Sequence, residues 1–298
     1  MTLAYIPRLL CISLAAYLLI HLALRAMVSL LAGPALRRAA QIHSHRAARL
    51  LLALRLLPAA GAVFVVAAIC LPSYLWLEPS APSEHVGFAC LAAAALSVAM
   101  WTVSIARGLR AFAATRRFLR RGPGAGPLLA LGGIVRPRLI VSPSVWRALP
   151  AEELAAALRH ERAHWAAHDN LKRLSILLAP GSRKLEQGWR KFAEYAADDR
   201  AAAGSPQRSC ALAAALVHVA RLTADMPPVP LAACLLGDPG QLSARVDRLL
   251  RPGPPAPPAA RPILQWGAVL LAVAPLAAVI LQPAVLYSVH LALEHLVG

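Results

Sequence analysis

The residues of this chain best suited to chemistry are His160-Glu161-Arg162-Ala163-His164. On a helix, positions i and i+4 share a face, so both imidazoles can reach one metal ion. Glu161 lies about a hundred degrees around such a helix from His160, beside the position the ion would leave open. A carboxylate there can accept a proton from a water and later deliver it to a leaving amine. Zinc suits this chemistry because it acidifies water and polarises a scissile carbonyl. The competing reading is an exposed helix that merely carries two histidines.

A catalytic zinc needs a third protein ligand, often a Glu from a following helix. The run Glu194-Tyr195-Ala196-Ala197-Asp198 offers one, with Glu194 and Asp198 four apart on one face. The expected centre therefore has His160, His164 and Glu194 as metal ligands and Glu161 as the acid/base. Asp198 and Asp169 are expected behind the ligands; Asp169, five residues past His164, can hydrogen-bond a ligand histidine and fix its tautomer. Surface pairing is the alternative for Glu194, and helix-end solvation or surface pairing for the two aspartates. His168 continues the i, i+4 series but falls about 12 Å along the axis from His160, too far for the same ion. It reads as a polar helix end. Glu186 reads as solvated. His218, in the apolar segment Ala211–Leu222, reads as packing ahead of a role in orienting substrate or an oxyanion. His21 falls within an apolar run, where an ionisable group invites a functional question.

The elements that must position these residues follow from punctuation and periodicity. Pro150 opens a helix through Ala151–His168, with Glu152 and Glu153 suited to its N-terminal dipole. A second helix follows Pro180-Gly181-Ser182, with Ser182 as its cap, and ends before Gly204. Leu185, Trp189 and Phe192 give it an apolar stripe expected to pack against the first helix. Two short apolar runs, Leu128–Leu131 and Leu139–Val141, flank Gly132-Gly133 and Arg136-Pro137 and suggest a small hairpin or edge-strand pair.

The rest of the chain is dominated by apolar blocks. Of 298 residues, 58% are hydrophobic, and Lys and Arg outnumber Asp and Glu by 31 to 14. Four segments approach the ~20 residues that hydrocarbon requires, at 9–31, 56–77, 86–106 and 263–289, the last with Pro275 and Pro283 as kinks. The basic residues flank these runs, where they orient spans and meet anionic lipid headgroups. No aromatic-interleaved basic patch or nucleic-acid motif accompanies them, so direct nucleic-acid binding is not expected. Cys11, Cys70, Cys90, Cys210 and Cys234 form no Cys-x-x-Cys pair, which argues against a disulfide framework or a cysteine zinc site. A cleaved signal peptide is not expected either, since the first apolar run is too long and its basic cluster follows it.

Arginines 37, 38, 46, 49 and 55 between the first two spans, and arginines 107, 110, 116, 117, 120 and 121 after the third, predict cytoplasmic loops. The N-terminus and the loop at 78–85, with Glu78 and Glu84, then face outside. The expected fold is mainly α: a multi-pass membrane protein with about four transmembrane helices and a cytoplasmic zinc peptidase domain containing a small β hairpin or sheet. The expected division is a membrane region at 1–106, the zinc domain at 107–251, a stiff Pro-rich linker at 252–262, and a final span with a short tail at 263–298.

The chain resembles the BlaR/MecR-type membrane metallopeptidases, through Gly133-Ile134-Val135-Arg136-Pro137-Arg138-Leu139-Ile140-Val141-Ser142-Pro143, Leu149-Pro150-Ala151-Glu152-Glu153-Leu154, the His160–His164 motif and Asp169-Asn170. The Glu194-to-Asp198 pattern is similar to that of the HtpX and CAAX-prenyl-protease type of membrane gluzincin. The motif-bearing resemblance covers about a third of the chain. It implies a gluzincin-like domain in the cytoplasm of a bacterial plasma membrane, with Zn2+ on His160, His164 and Glu194. It also implies cleavage of a cytoplasmic protein in signal transduction, either the chain itself or a winged-helix transcriptional repressor. That family's receptors carry a penicillin-binding sensor domain after the last span; this sequence stops there, so beta-lactam sensing by that route is not expected. Membrane-protein quality control, and a non-enzymatic transducer with a structural zinc site, are the alternative readings.

Overall fold

A computed structural model describes residues 2–77, 84–121, 129–133, 138–222, 232–234, 239–251 and 282–297. It is mostly helical. Among the described residues, three helices are long and apolar enough to cross a membrane: Tyr5–Gln41, Ser44–Leu77 and Phe88–Arg117. The first (α1) continues ten residues past the end expected from hydropathy, through Gly33-Pro34, to Gln41. At 1.5 Å per residue its 37 residues run roughly 55 Å, well beyond the ~30 Å of hydrocarbon.

The second rod is composite. An α-helix over Ser44–Val65 (α2) passes into a π-helical turn at Val66–Cys70, then a short helix at Leu71–Leu77 (α3). Pro72 explains the turn. It has no N–H to give, and its ring crowds the carbonyl four residues back, so the wider π turn absorbs the mismatch without breaking the rod. The third rod, α4, spans Phe88–Arg121. Side chains such as Leu10, Leu30, Phe88, Leu96 and Val103 point outward from these rods, as lipid-facing residues do.

A two-stranded clip, β1 (Thr2–Leu3) with β2 (Glu84–His85), pairs antiparallel with Thr2 opposite His85. It brings the N-terminus beside the loop between the second and third rods. Close to this clip, Arg8 donates to Tyr74 Oη at 2.6 Å, and Cys11 Sγ and Cys90 Sγ lie 3.8 Å apart. Farther along α1, His21 is fully buried and stacked on Tyr17 at 5.7 Å between ring centroids.

The opposite ends of α1 and α2 carry most of the remaining elements. Strands β3 (Leu129–Gly132) and β4 (Arg138–Val141) form the expected antiparallel hairpin, with Leu129 opposite Val141. A third strand, β5 (Ala232–Cys234), joins the other edge of β3 and was not foreseen. Five helices follow the hairpin: α5 (Pro143–Ala148), α6 (Ala151–Ala167), α7 (Asp169–Leu178), α8 (Arg183–Ala202) and α9 (Pro206–Leu222). After β5 come α10 (Leu242–Leu250) and α11 (Pro283–Val297).

Two expectations need correction here. Leu185, Trp189 and Phe192 do not face α6; they pack with Val28, Ala32 and Ala35 of α1 and Ala47 and Leu51 of α2. The face of α8 that meets α6 carries Glu194 and Asp198, and Ala201 and Ala202 share one core cluster with Ala156 and Ala157 of α6. Both contacts are close because small residues let the backbones approach. At Gly188, an added Cβ would come within 2.5 Å of Leu36. Ser182 does precede α8, but its side chain makes no capping hydrogen bond.

The Pro-rich linker at 252–262 and most of the expected span at 263–289, Pro275 included, lie outside the described residues. Pro283, expected as a kink, opens α11 instead, where a missing N–H costs nothing. That helix is tied to α3 by Ser73 Oγ donating to the Leu286 carbonyl at 2.6 Å.

Candidate metal centre

Helix α6 begins after Pro150, with Glu152 and Glu153 in its first turn as expected. It ends one residue sooner than the sequence suggests. His168 adopts φ 54°, ψ 38°, closing the helix with its N–H on the His164 carbonyl. The chain then re-enters a helix at once, so Asp169 becomes the first residue of α7 and swings back beneath α6. A carboxylate at that position also suits the positive end of the α7 dipole. His168 itself is exposed and takes no part in the site.

His160 and His164 are fully buried, on one face of α6, with their Nε2 atoms 3.1 Å apart. Glu194, from α8, places Oε2 3.5 Å from each of those nitrogens. The three donors converge on one point, and all lie within 4.8 Å of one another. Two ligands at 2.0–2.1 Å in a tetrahedral sphere sit about 3.3–3.4 Å apart, close to these separations. Glu194 Oε2 is buried, with the two histidine nitrogens at 3.5 Å and an arginine, Arg245 Nη1, at 3.2 Å as its polar neighbours. The group can hold a metal ion, and its two-nitrogen, one-oxygen donor set fits one of the transition-metal type.

Asp169 and Asp198 stand behind the histidines. Asp169 Oδ2 accepts from His164 Nδ1 at 2.7 Å, which leaves Nε2 free to ligate. Asp198 Oδ1 lies 3.0 Å from His160 Nδ1. Lys172 Nζ holds the other Asp169 oxygen at 2.9 Å. The neighbouring Asn170 donates to the Gly133 carbonyl at 2.8 Å, docking the β hairpin against α7.

Glu161 is fully buried, and neither carboxylate oxygen has a hydrogen-bond partner among the described residues. Burial raises it to about 7, with the Glu194 charge adding to the rise and the two histidines opposing it. Burial alone would lower His164, but the Glu194 charge and the Asp169 hydrogen bond raise it to about 10. Glu194 moves the other way. Burial would raise it, yet His164, Arg245 and the hydrogen bonds from both histidines hold it well below the usual carboxylate range. Without an ion the cluster is thus a buried imidazolium–carboxylate set.

Two arginines that sequence reasoning missed complete the site. Arg245 of α10 is 1% exposed and donates to Asp198 through Nε at 2.9 Å and Nη2 at 2.7 Å. Its Nη1 lies 3.2 Å from Glu194 Oε2. Arg173 Nη2 approaches the other Glu194 oxygen at 3.4 Å. A signal for Arg245 did exist: it shares the i, i+3, i+4, i+7 face of α10 with the apolar Leu242, Val246 and Leu249. A charge on an apolar face needs a buried partner.

The other candidates fall outside the cluster. His218 is half-exposed and paired with Glu153 at 2.5 Å, not packed in the core. Glu186 is not simply solvated; it pairs with Arg190 at 2.6 Å and approaches Arg55 at 4.0 Å. No protein-family model, no curated protein and no solved structure matches this chain.

Proposed function

We propose that the chain is a membrane-embedded zinc metalloendopeptidase that hydrolyses a peptide bond of a cytoplasmic protein, itself or a transcriptional repressor, in signal transduction. One observation carries the reading: a convergent His160–His164–Glu194 donor set stands beside a buried carboxylate, Glu161, that no other group among the described residues engages by hydrogen bonding. A site needed only for structure has no use for such a carboxylate.

Zinc bound by His160, His164 and Glu194 would polarise the scissile carbonyl and acidify the attacking water. Glu161, raised towards neutrality, takes that water's proton on a carboxylate oxygen and returns it to the leaving amine nitrogen. Asp169 accepts the Nδ1 proton of His164 and so directs its Nε2 lone pair into the site. Asp198 stands by the Nδ1 side of His160 in the same way.

The clip between β1 and β2 supports an N-terminus on the same side of the bilayer as the loop after the second rod. The arginine-rich ends of α1, α2 and α4 favour the cytoplasm for the opposite side, where the metal centre lies, with their charges against anionic headgroups. The motifs shared with the BlaR/MecR type favour a regulatory substrate, with a winged-helix repressor as the candidate partner.

The test compares protein termini in cells carrying the wild-type chain, Glu161→Gln, or His160→Ala. New termini that need both Glu161 and His160 support the peptidase. One accumulating regulator in the Glu161→Gln cells supports signalling, whereas many accumulating membrane proteins would move the assignment to quality control. Identical termini in all three strains, with function lost only in His160→Ala, would establish a non-enzymatic transducer.

A further inference from the structure

Helix α10 meets α8 through two arginines, three residues apart, that face two consecutive carboxylates. The outer pair is Arg248 and Asp199, joined at 2.6 and 2.9 Å, with the guanidinium also 4.9 Å above the Tyr195 ring. Asp199 is reached as well by Ser44 Oγ, from the first residue of α2. The inner pair is Arg245 and Asp198, and here the guanidinium does more than pair. Its fork is bidentate on Asp198, while its third nitrogen lies 3.2 Å from Glu194 Oε2, the same oxygen that converges on both histidines.

Glu194, Asp198 and Glu161 crowd three carboxyl groups into a volume from which water is excluded. Buried charges of one sign are tolerated only when a counter-charge and hydrogen bonds satisfy them. A planar guanidinium can span two carboxylates at fixed angles; a lysine ammonium is a point charge and cannot. Resting on the metal-site reading, we propose that Arg245 is the positioning residue of the centre. It holds Glu194 Oε2 aimed at the two histidines and Asp198 beside His160, so that α10 is a working wall of the site.

The test uses the full-length protein in detergent, with zinc affinity from chelator competition and the visible spectrum of the cobalt-loaded form as readouts. Arg245→Met and Arg245→Lys should each weaken zinc binding about 10–100-fold, the range seen when groups behind metal ligands are removed. Both should alter the cobalt d–d bands, which report ligand placement. Arg248→Met, on the same helix but outside the centre, should lower thermal stability and leave the cobalt spectrum unchanged. Wild-type affinity and spectrum in Arg245→Lys would overturn the inference even if Arg245→Met fails to fold. A wild-type protein that binds neither zinc nor cobalt would instead overturn the metal reading itself.

Discussion

Asp169 lies 2.7 Å from His164 Nδ1 although the two residues belong to different helices, because the single left-handed residue His168 folds α7 back under α6. The expected contact was a hydrogen bond from a residue at the end of the histidine-bearing helix. The observed one is made by the first residue of a new helix, with Lys172 one turn on bracing the same carboxylate. Asp169→Asn keeps the shape but can present an amide N–H to Nδ1, which favours the tautomer that cannot ligate through Nε2. Zinc affinity is expected to fall about 10–100-fold, measured by chelator competition, with the helical circular dichroism retained.

Metal binding should depend on pH in a direction set by His164. Its raised value, about 10, means that the metal-free protein keeps a proton there that an ion must displace. The imidazolium–carboxylate pair contributes stability that is fully present below the ordinary histidine value and is lost as pH rises through about 10. Below that upper limit, apparent zinc affinity should therefore rise by about tenfold per pH unit for each proton released. Titrations at pH 6, 7 and 8 check this. A flat profile would show that His164 enters the site already neutral.

Glu161→Gln should leave zinc content unchanged while reducing turnover at least about 10²-fold, since the amide cannot accept the proton. Elemental analysis of the purified variant, set beside its cleavage rate, separates this outcome from loss of the ion.

The packing of α8 on the rods predicts a second kind of defect. Gly188→Val places branched carbon against Leu36 and Leu51, where even a single added carbon is in close contact. Overpacking of this kind typically costs about 1–3 kcal/mol, and Trp189→Ala, which empties a fully enclosed site, about 3–5 kcal/mol. Thermal unfolding in detergent should show both losses, the tryptophan variant the larger.

The rod arrangement itself is open to a chemical check. Cys11 and Cys90 present sulfurs 3.8 Å apart near the β1–β2 clip, so a mild thiol oxidant should join α1 to α4. The bond should be absent in Cys90→Ser and detectable as a bridged peptide pair by mass spectrometry. Failure of the folded wild type to cross-link would contradict the packing of these two helices.

What could be read in advance was local. The His160/His164 pair needs only one helix, Glu194 and Asp198 only another, and the apolar rods announce themselves by length. What could not be read was the choice of partner between elements that each offer an acceptable face. The stripe of Leu185, Trp189 and Phe192 fits α6 and the α1–α2 pair equally well by periodicity; only the three-dimensional arrangement assigns it to the rods. Arg245 escaped for the same reason. Its two carboxylate partners lie about fifty residues earlier, and periodicity within α10 does not say which distant element will meet it. The π turn before Pro72 was likewise invisible, because a proline in an apolar run reads as a break or a kink, and not as a rod continued at a wider pitch.

The lower halves of α1 and α2 are helix without interruption from the apolar region to the surface of α8, and Arg55 adds hydrogen bonds to the carbonyls of Ile176 and Ala179 at 3.0 and 2.9 Å. The support that carries α8, and Glu194 with it, is therefore continuous helix leading from the apolar rods. Bilayers of different thickness impose different tilts on their spanning helices. For a rod of roughly 55 Å pivoting at one end, a tilt of about 5° displaces the other end by about 5 Å. A tilt of that size, if the long apolar helices span a membrane, would be carried to α8, which packs on both α1 and α2 and bears Glu194.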